Sequence, residues 1–198
     1  MARLPLIEPE QATGDVARAL AGLPVKLNIF RMMAHAESCL VPQMRLGTAI
    51  LSRQKLGHRE RELLVLLVAA LENGKYEWLQ HLSIAEGAGV LPAQIKAIGD
   101  GEIASSVFEE KDQALLAFAK EVVEKVRVRE EIFLEVQKYF SDQEIVEAIL
   151  AIGFYMTMTR LTEATETDLD QAGGMAIFDN LQHQKYKKEK NKTASDKY

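Results

Sequence analysis

The chain has 198 residues, 47% of them hydrophobic and 27% charged, a composition that excludes wholesale disorder and fits one globular core. The formal net charge is −5. Six lysines make residues 185–198 locally +4 and leave −9 for the rest, which repels phosphate backbones and argues against a nucleic-acid partner. The single cysteine, Cys39, excludes an intrachain disulfide and any C-x-x-C redox pair.

The opening MARLPLIEPEQ has no apolar stretch before a small-residue cleavage site, and no apolar run approaches the roughly 20 residues of a membrane span. The expectation is a cytoplasmic protein without membrane contact. Residues 9–20 read as a short helix, and 28–35 as a second with Asn28 as its N-cap. Residues 38–53 repeat apolar positions at Leu40, Met44, Gly47 and Leu51 along one helical face. Cys39, in the run MMAHAESCLVP, reads as a small buried hydrophobe. The helix at about 58–72, RERELLVLLVAALEN, is charged at its start and apolar on every side after it, the pattern of a central or interface helix. Gly74 interrupts the chain, Lys75 to Glu86 form the next helix, and Gly87 and Gly89 end it. Pro92 starts a short helix through Ile98, and 100–108 is a loop. Residues 110–127 and 129–139 are amphipathic, and Ser141 with Glu144 forms a capping box opening a long apolar helix to about 165. The result is an all-α bundle: one domain over 1–182, then a lysine-rich, disordered tail at 183–198. DQEIVEAILAIGFY echoes HRERELLVLLVAAL with Glu147 against Glu62, so a bundle duplicated from a smaller helical unit is an open alternative.

Chemistry gathers on two helices. Glu77 and His81, four apart, share a face, and a carboxylate that holds an imidazole fixes its tautomer and raises its basicity. The same spacing also occurs on solvated faces. Here, however, Tyr76, Trp78 and Leu79 flank the pair and a deeply apolar helix precedes it, which favours a lined pocket. Glu62 lies on that preceding helix, which a short turn should pack antiparallel to the next.

The run LGHRERELLVLLVAALENGKYEWLQHLSIAEGAGVLPAQIKAI, Leu56 to Ile98, resembles the core motif of carboxymuconolactone decarboxylase and alkylhydroperoxidase D-like (AhpD-like) proteins: an Arg-Glu-Leu opening, then E-x-x-x-H, then small residues and a short helix. LNIFRMMAHAESCL, the YEW-x-x-H of Tyr76 to His81, and IVEAILAIGFYMTMTRL resemble a longer branch, so the likeness covers most of residues 4–170. The resemblance implies an AhpD-like helical bundle and, as in the family, a homo-oligomer, a trimer or hexamer. The peroxidase relatives carry C-x-x-C-x-x-x-H with a preceding glutamate. On this chain the glutamate and histidine fall on Glu62 and His81, but the two cysteine positions fall on Gly74 and Glu77. Without a thiolate and a resolving thiol, thiol peroxidase chemistry is disfavoured, although a peroxidase or antioxidant role is what one branch of the resemblance implies. The decarboxylase relatives use E-x-x-x-H without cysteines, as here.

The expected activity is therefore acid–base chemistry of the lyase type, a decarboxylation or related proton transfer, on a small organic acid or lactone. His81 would be the proton donor, oriented by Glu77, with Glu62 as a second base. Tyr76 and Trp78 would line the substrate pocket, with His35 reaching it and Arg31 holding a carboxylate; Arg59 and Arg160 are further candidate cations. No cofactor is called for. A metal site built from Glu62, Glu77 and His81, with or without His35, is one rival, but di-iron bundles use Glu-x-x-His spacing, which is absent at this site. A non-catalytic oligomeric ligand carrier is the other.

Overall fold

The computed structural model describes residues 1–173, with Ala176 and Asp179; the lysine-rich end lies outside the described residues. Among these, nine α-helices and no strand are present: α1 (Gly14–Ala21), α2 (Asn28–Met33), α3 (Glu37–Arg53), α4 (His58–Leu71), α5 (Lys75–Gly87), α6 (Pro92–Gly99), α7 (Glu110–Lys125), α8 (Glu130–Gln137) and α9 (Asp142–Ala164).

The all-round apolar helix is central. Every residue of α4 from Arg61 to Ala69 is buried, and it packs against α5, α6, α7 and α9. Two hydrophobic clusters result. The larger joins α4 to α6, α7, α8 and α9; the smaller joins α1, α2 and α3 to Tyr76 and Met158. The Ser141–Glu144 capping box forms as read, with the Ser141 N–H donating to Glu144 Oε2 at 2.9 Å. Glu147 shares nothing with its counterpart in the sequence echo: its Oε2 accepts the N–H groups of Lys55 and Leu56 at 2.8 Å each, closing the α3–α4 turn.

Three details differ from the sequence reading. The first helix starts at Gly14 instead of residue 9, because residues 8–13 form turns. Asn28 is the first residue of α2 and Leu27 its N-cap; Asp170, from far along the chain, accepts the Asn28 N–H at 2.7 Å. Between α4 and α5 the left-handed residue is Asn73, with φ 55°, and the Gly74 N–H bonds Ala69 O at 2.7 Å. Gly74 is needed for another reason: a Cβ there would lie 2.5 Å from Thr159 Cγ2 on α9.

α9 is by length and composition able to cross a bilayer, a property the sequence reading gave to no segment. Its buried positions, Ile145, Ala148, Ala151, Ile152, Tyr155, Met158, Thr159 and Thr162, form a helical stripe facing the bundle, as in a core helix. After α9 the chain turns back. The Tyr76 hydroxyl donates to Asp170, Gln80 holds the Gly173 N–H at 2.8 Å, and the Arg3 N–H reaches Thr165 O at 2.8 Å. Residues 165–173 thus latch α2 to α5 and hold the first residues of the chain.

Candidate active site

α5 returns along α4 after a three-residue connection, which brings Glu62 near the start of α4 against His81. His81 Nδ1 lies 2.7 Å from Glu62 Oε2, and both residues are buried. Arg61 completes the group: its Nε donates to Glu62 Oε1 at 3.0 Å and its Nη1 to Leu51 O at 3.0 Å. Burial alone would raise the Glu62 pKa, but the positive fields of His81 and Arg61 and their hydrogen bonds outweigh it and hold the group below the usual carboxylate range. Glu62 is therefore the acceptor and Nδ1–H the donor, and Nε2 is the ring position left without a partner among the described residues. The Tyr155 ring stands edge-on to the imidazole, with centroids 4.9 Å apart. Burial, then the Glu62 charge, push the Tyr155 hydroxyl pKa up, so it stays a neutral phenol.

Glu77 is the second buried acid, but it does not hold the imidazole. The Thr162 hydroxyl donates to Glu77 Oε2 at 3.0 Å, and Oε1 is buried with no partner. Burial raises the Glu77 pKa, more than the bonds from its own backbone and from Thr162 lower it. The expected orientation of His81 by Glu77 is thus corrected: Glu62 does this, because Glu77 turns toward α9. The sign of its titration gives a prediction. A folded pKa above the unfolded one means the stabilising share of Glu77 is present below the unfolded pKa and is lost as pH rises through the folded value. Glu77→Gln, which does not titrate, should melt progressively higher than the native chain as pH rises from the ordinary carboxylate range toward neutrality. Parallel thermal melts across that range check this; a pH-independent gap would show that Glu77 titrates normally.

Both acids and the imidazole sit at the seam between the two hydrophobic clusters, and there a cavity of about 290 Å³ opens, at the lower end of small-molecule pockets. Glu77, His81, Tyr76 and Tyr155 line it with apolar side chains from α2, α3 and α9, and the Phe154 ring fits beside Gly47, where a Cβ would lie 2.8 Å from its tip. Glu62 stands behind His81 and does not line it.

Of the other expected residues, Tyr76 is in place, its hydroxyl accepting the Ile29 N–H at 3.2 Å and donating to Asp170. Three are not. Trp78 is carried by the helical period to the other side of α5, where it packs on Gly99 and the main core. His35 is exposed, its Nε2 bonded to Pro5 O at 2.6 Å just past the end of α2. Arg31 is held by Asn28 Oδ1 at 2.8 Å and by Glu8. Arg59 is taken by Asp112 and Arg160 by Glu72. Cys39, read as buried, is exposed on the first turn of α3, because the neighbouring Leu40 takes the core-facing position; it does not line the cavity. Among the described residues no group of three His, Cys, Asp or Glu is placed to hold a metal ion. Sequence reading missed Arg61, Tyr155 and Thr162. The usable signal was the 155, 158, 159, 162 spacing, which sets polar side chains on the face of α9 that must be buried.

Residues 43–121 match the carboxymuconolactone decarboxylase family. No curated protein matches the sequence. Solved structures share the fold. An uncharacterized peroxidase-related protein of Ralstonia eutropha with an AhpD core is 18% identical, with TM-score 0.75 over 85% of this chain and 92% of its own. A protein of Agrobacterium tumefaciens described as a putative antioxidant defence protein AhpD is 21% identical, with TM-score 0.64 over 70% of this chain and 94% of its own. A cysteine-to-alanine variant of the debrominase Bmp8, in complex with 2,3,4-tribromopyrrole, is 18% identical, with TM-score 0.71 over 91% of this chain and 100% of its own. The family match runs across α4, α5 and α6, which carry Glu62, Glu77 and His81, and the solved structures share the helical architecture: the chain is similar to carboxymuconolactone decarboxylase-family proteins over this segment and has the fold of AhpD-like proteins.

Proposed function

We propose that the chain is an acid–base enzyme of the lyase type that moves a proton to or from carbon in a small organic acid or lactone, decarboxylation being one such reaction. The observation that carries this reading is the buried Glu62–His81 pair, whose imidazole borders an apolar cavity beside the second buried acid, Glu77. Glu62 takes the Nδ1 hydrogen and makes Nε2 the basic nitrogen. A carbon acid next to a carbonyl gives its proton to Nε2, its electron pair passes to the carbonyl oxygen, and Glu77, beside the cavity, stands where it can exchange a proton with the enolate oxygen. In a decarboxylation the C–C bond to the carboxylate breaks instead, its electron pair passes to the carbonyl, CO₂ leaves, and carbon takes a proton from His81, which enters this reaction as imidazolium and is re-protonated from water. The 2,3,4-tribromopyrrole held by the debrominase of this fold is in keeping with a small organic ring as occupant.

The test is deuterium incorporation and CO₂ release from a panel of lactones and keto acids in D₂O, with native protein, His81→Ala and Glu62→Gln. Incorporation by the native chain that both substitutions abolish is the expected result. Identical behaviour of all three proteins would leave only a ligand carrier. A thiol peroxidase reading finds no support at the cavity, whose lining contains no cysteine.

We also propose that the chain self-associates, as a trimer or hexamer, through α9. Val146, Ile149 and Leu150 are 54, 40 and 53% exposed, and their spacing sets them in one stripe on the outer face. Light scattering should show a multiple of the chain mass for the native protein and a lower one for Leu150→Lys; a native chain that stays monomeric at micromolar concentration would refute it.

A further inference from the structure

We infer that the cavity accepts an uncharged carbonyl compound with an apolar body, such as an enolisable ketone or a lactone, and discriminates against carboxylates. This rests on the proposed function for the location of the site and narrows it to proton transfer on a ketone or lactone, setting decarboxylation of a free acid aside.

The inference follows from where the charges are. Among the described residues no arginine or lysine lines the cavity; its ionisable residues are Glu77, His81, Tyr76 and Tyr155. The cations nearby in sequence are spent elsewhere: Arg31 on Asn28 and Glu8, Arg59 on Asp112, Arg160 on Glu72. Arg61, the buried one, sets its charge against that of Glu62 behind the imidazole, a contact of 2.9 Å. The cavity thus offers no positive charge to an anion while His81 is neutral. A carboxylate entering would give up its water for neutral donors only.

Beside the amides of Gln43 and Gln80 and the Thr48 hydroxyl, two polar groups on the α5 wall suit one oxygen. Glu77 Oε1 is buried and unpartnered, and His81 Nε2 has no partner among the described residues. Burial raises the Glu77 pKa, and in its protonated form the carboxyl can donate its hydrogen to a carbonyl oxygen, as a carboxylate cannot. The opposite walls are apolar, with Leu27, Ile29, Phe30, Met33, Met44 and Met158 among them. A polar end for one acceptor and an apolar remainder describe a ketone, enone or lactone, not an acid. With such a substrate the proton leaves the carbon beside the carbonyl for Nε2 and returns at the same or a conjugated carbon. Atoms and charge balance without any leaving group.

The experiment uses a matched pair, 4-phenylbutan-2-one and 3-phenylpropanoate, which differ by a methyl group in place of a carboxylate oxygen. Calorimetric or NMR titration of the full chain at neutral pH should show the ketone binding at least ~30-fold more tightly, the scale on which an uncompensated buried charge acts. Gln43→Lys, which puts a cation on the cavity wall, should strengthen binding of the carboxylate by roughly tenfold while leaving that of the ketone within about threefold. Equal or tighter binding of the carboxylate to the native chain overturns the inference, and so does failure of the ketone to bind up to its solubility limit. Ketone binding without deuterium exchange at its α-carbon would remove the catalytic reading and leave this one standing.

Discussion

Glu62→Gln is expected to be the most damaging single substitution near the cavity, lowering stability by roughly 3–5 kcal/mol, the cost of breaking a buried ion pair from one side. Both residues are fully enclosed, and the change removes the counter-charge of the Arg61 guanidinium while keeping the shape. At about 2–4 °C per kcal/mol for a chain of this size, the melting temperature should fall by roughly 6–20 °C. The acid limb should change too. The folded pKa of Glu62 lies below the unfolded one, so its stabilising share is present above the unfolded pKa and is lost as pH falls through the folded value. The variant lacks that loss, so its deficit against the native chain should shrink toward acid. Any proton-transfer activity should drop by about 10²–10⁴-fold, because the imidazole loses the acceptor that fixes its tautomer. Thermal melts at neutral and acid pH are the check; a variant as stable as the native chain would mean that Arg61 finds another carboxylate.

Gly74→Cys is expected to cost roughly 1–3 kcal/mol, the usual range for overfilling a packed contact. The Cβ would press on Thr159 Cγ2 at 2.5 Å and Oγ1 at 3.0 Å, and Thr159 is fixed in the buried stripe of α9. Thr159→Ala removes both atoms, and since that hydroxyl is buried without a partner its loss forfeits no hydrogen bond. The double variant should therefore recover most of the deficit, a coupling that two independent sites would not show. Gly74 and Glu77 stand where peroxidase relatives place their thiols, so Gly74→Cys/Glu77→Cys alone should be unstable, and a thiol pair should be tolerated only with Thr159→Ala. Denaturant midpoints for the four proteins decide this; additive losses would refute the steric account.

The helical architecture was legible because its signals are local. α4 is apolar on every side, Ser141 and Glu144 cap α9, and Gly89 takes the left-handed turn after α5 with φ 95°. The convergence of Glu62, Glu77 and His81 was legible only through spacing and a short turn, which state that two helices are neighbours but not which carboxylate reaches which ring. Glu77 and His81 share a face of α5, yet one helical turn also separates them, and Thr162 on α9 takes the acid. The contributions of Tyr155, against the His81 ring, and of Asp170, 142 positions from the Asn28 N–H it accepts, depend on contacts far apart along the chain, which no window of sequence displays. His35 and Arg31 misled for the same reason. Each is satisfied by the N-terminal segment, through Pro5 and Glu8, a placement that no local signal announces.

The return of the chain after α9 has a consequence for deletion mapping. Asp170 fastens α2, whose Ile29, Phe30 and Met33 form one wall of the cavity, and Gln80 is held by the same strand of backbone. Trimming to the end of α9 would free that wall, so a shortened protein should lose its ligand as though the missing residues had touched it, when they had only kept the wall upright.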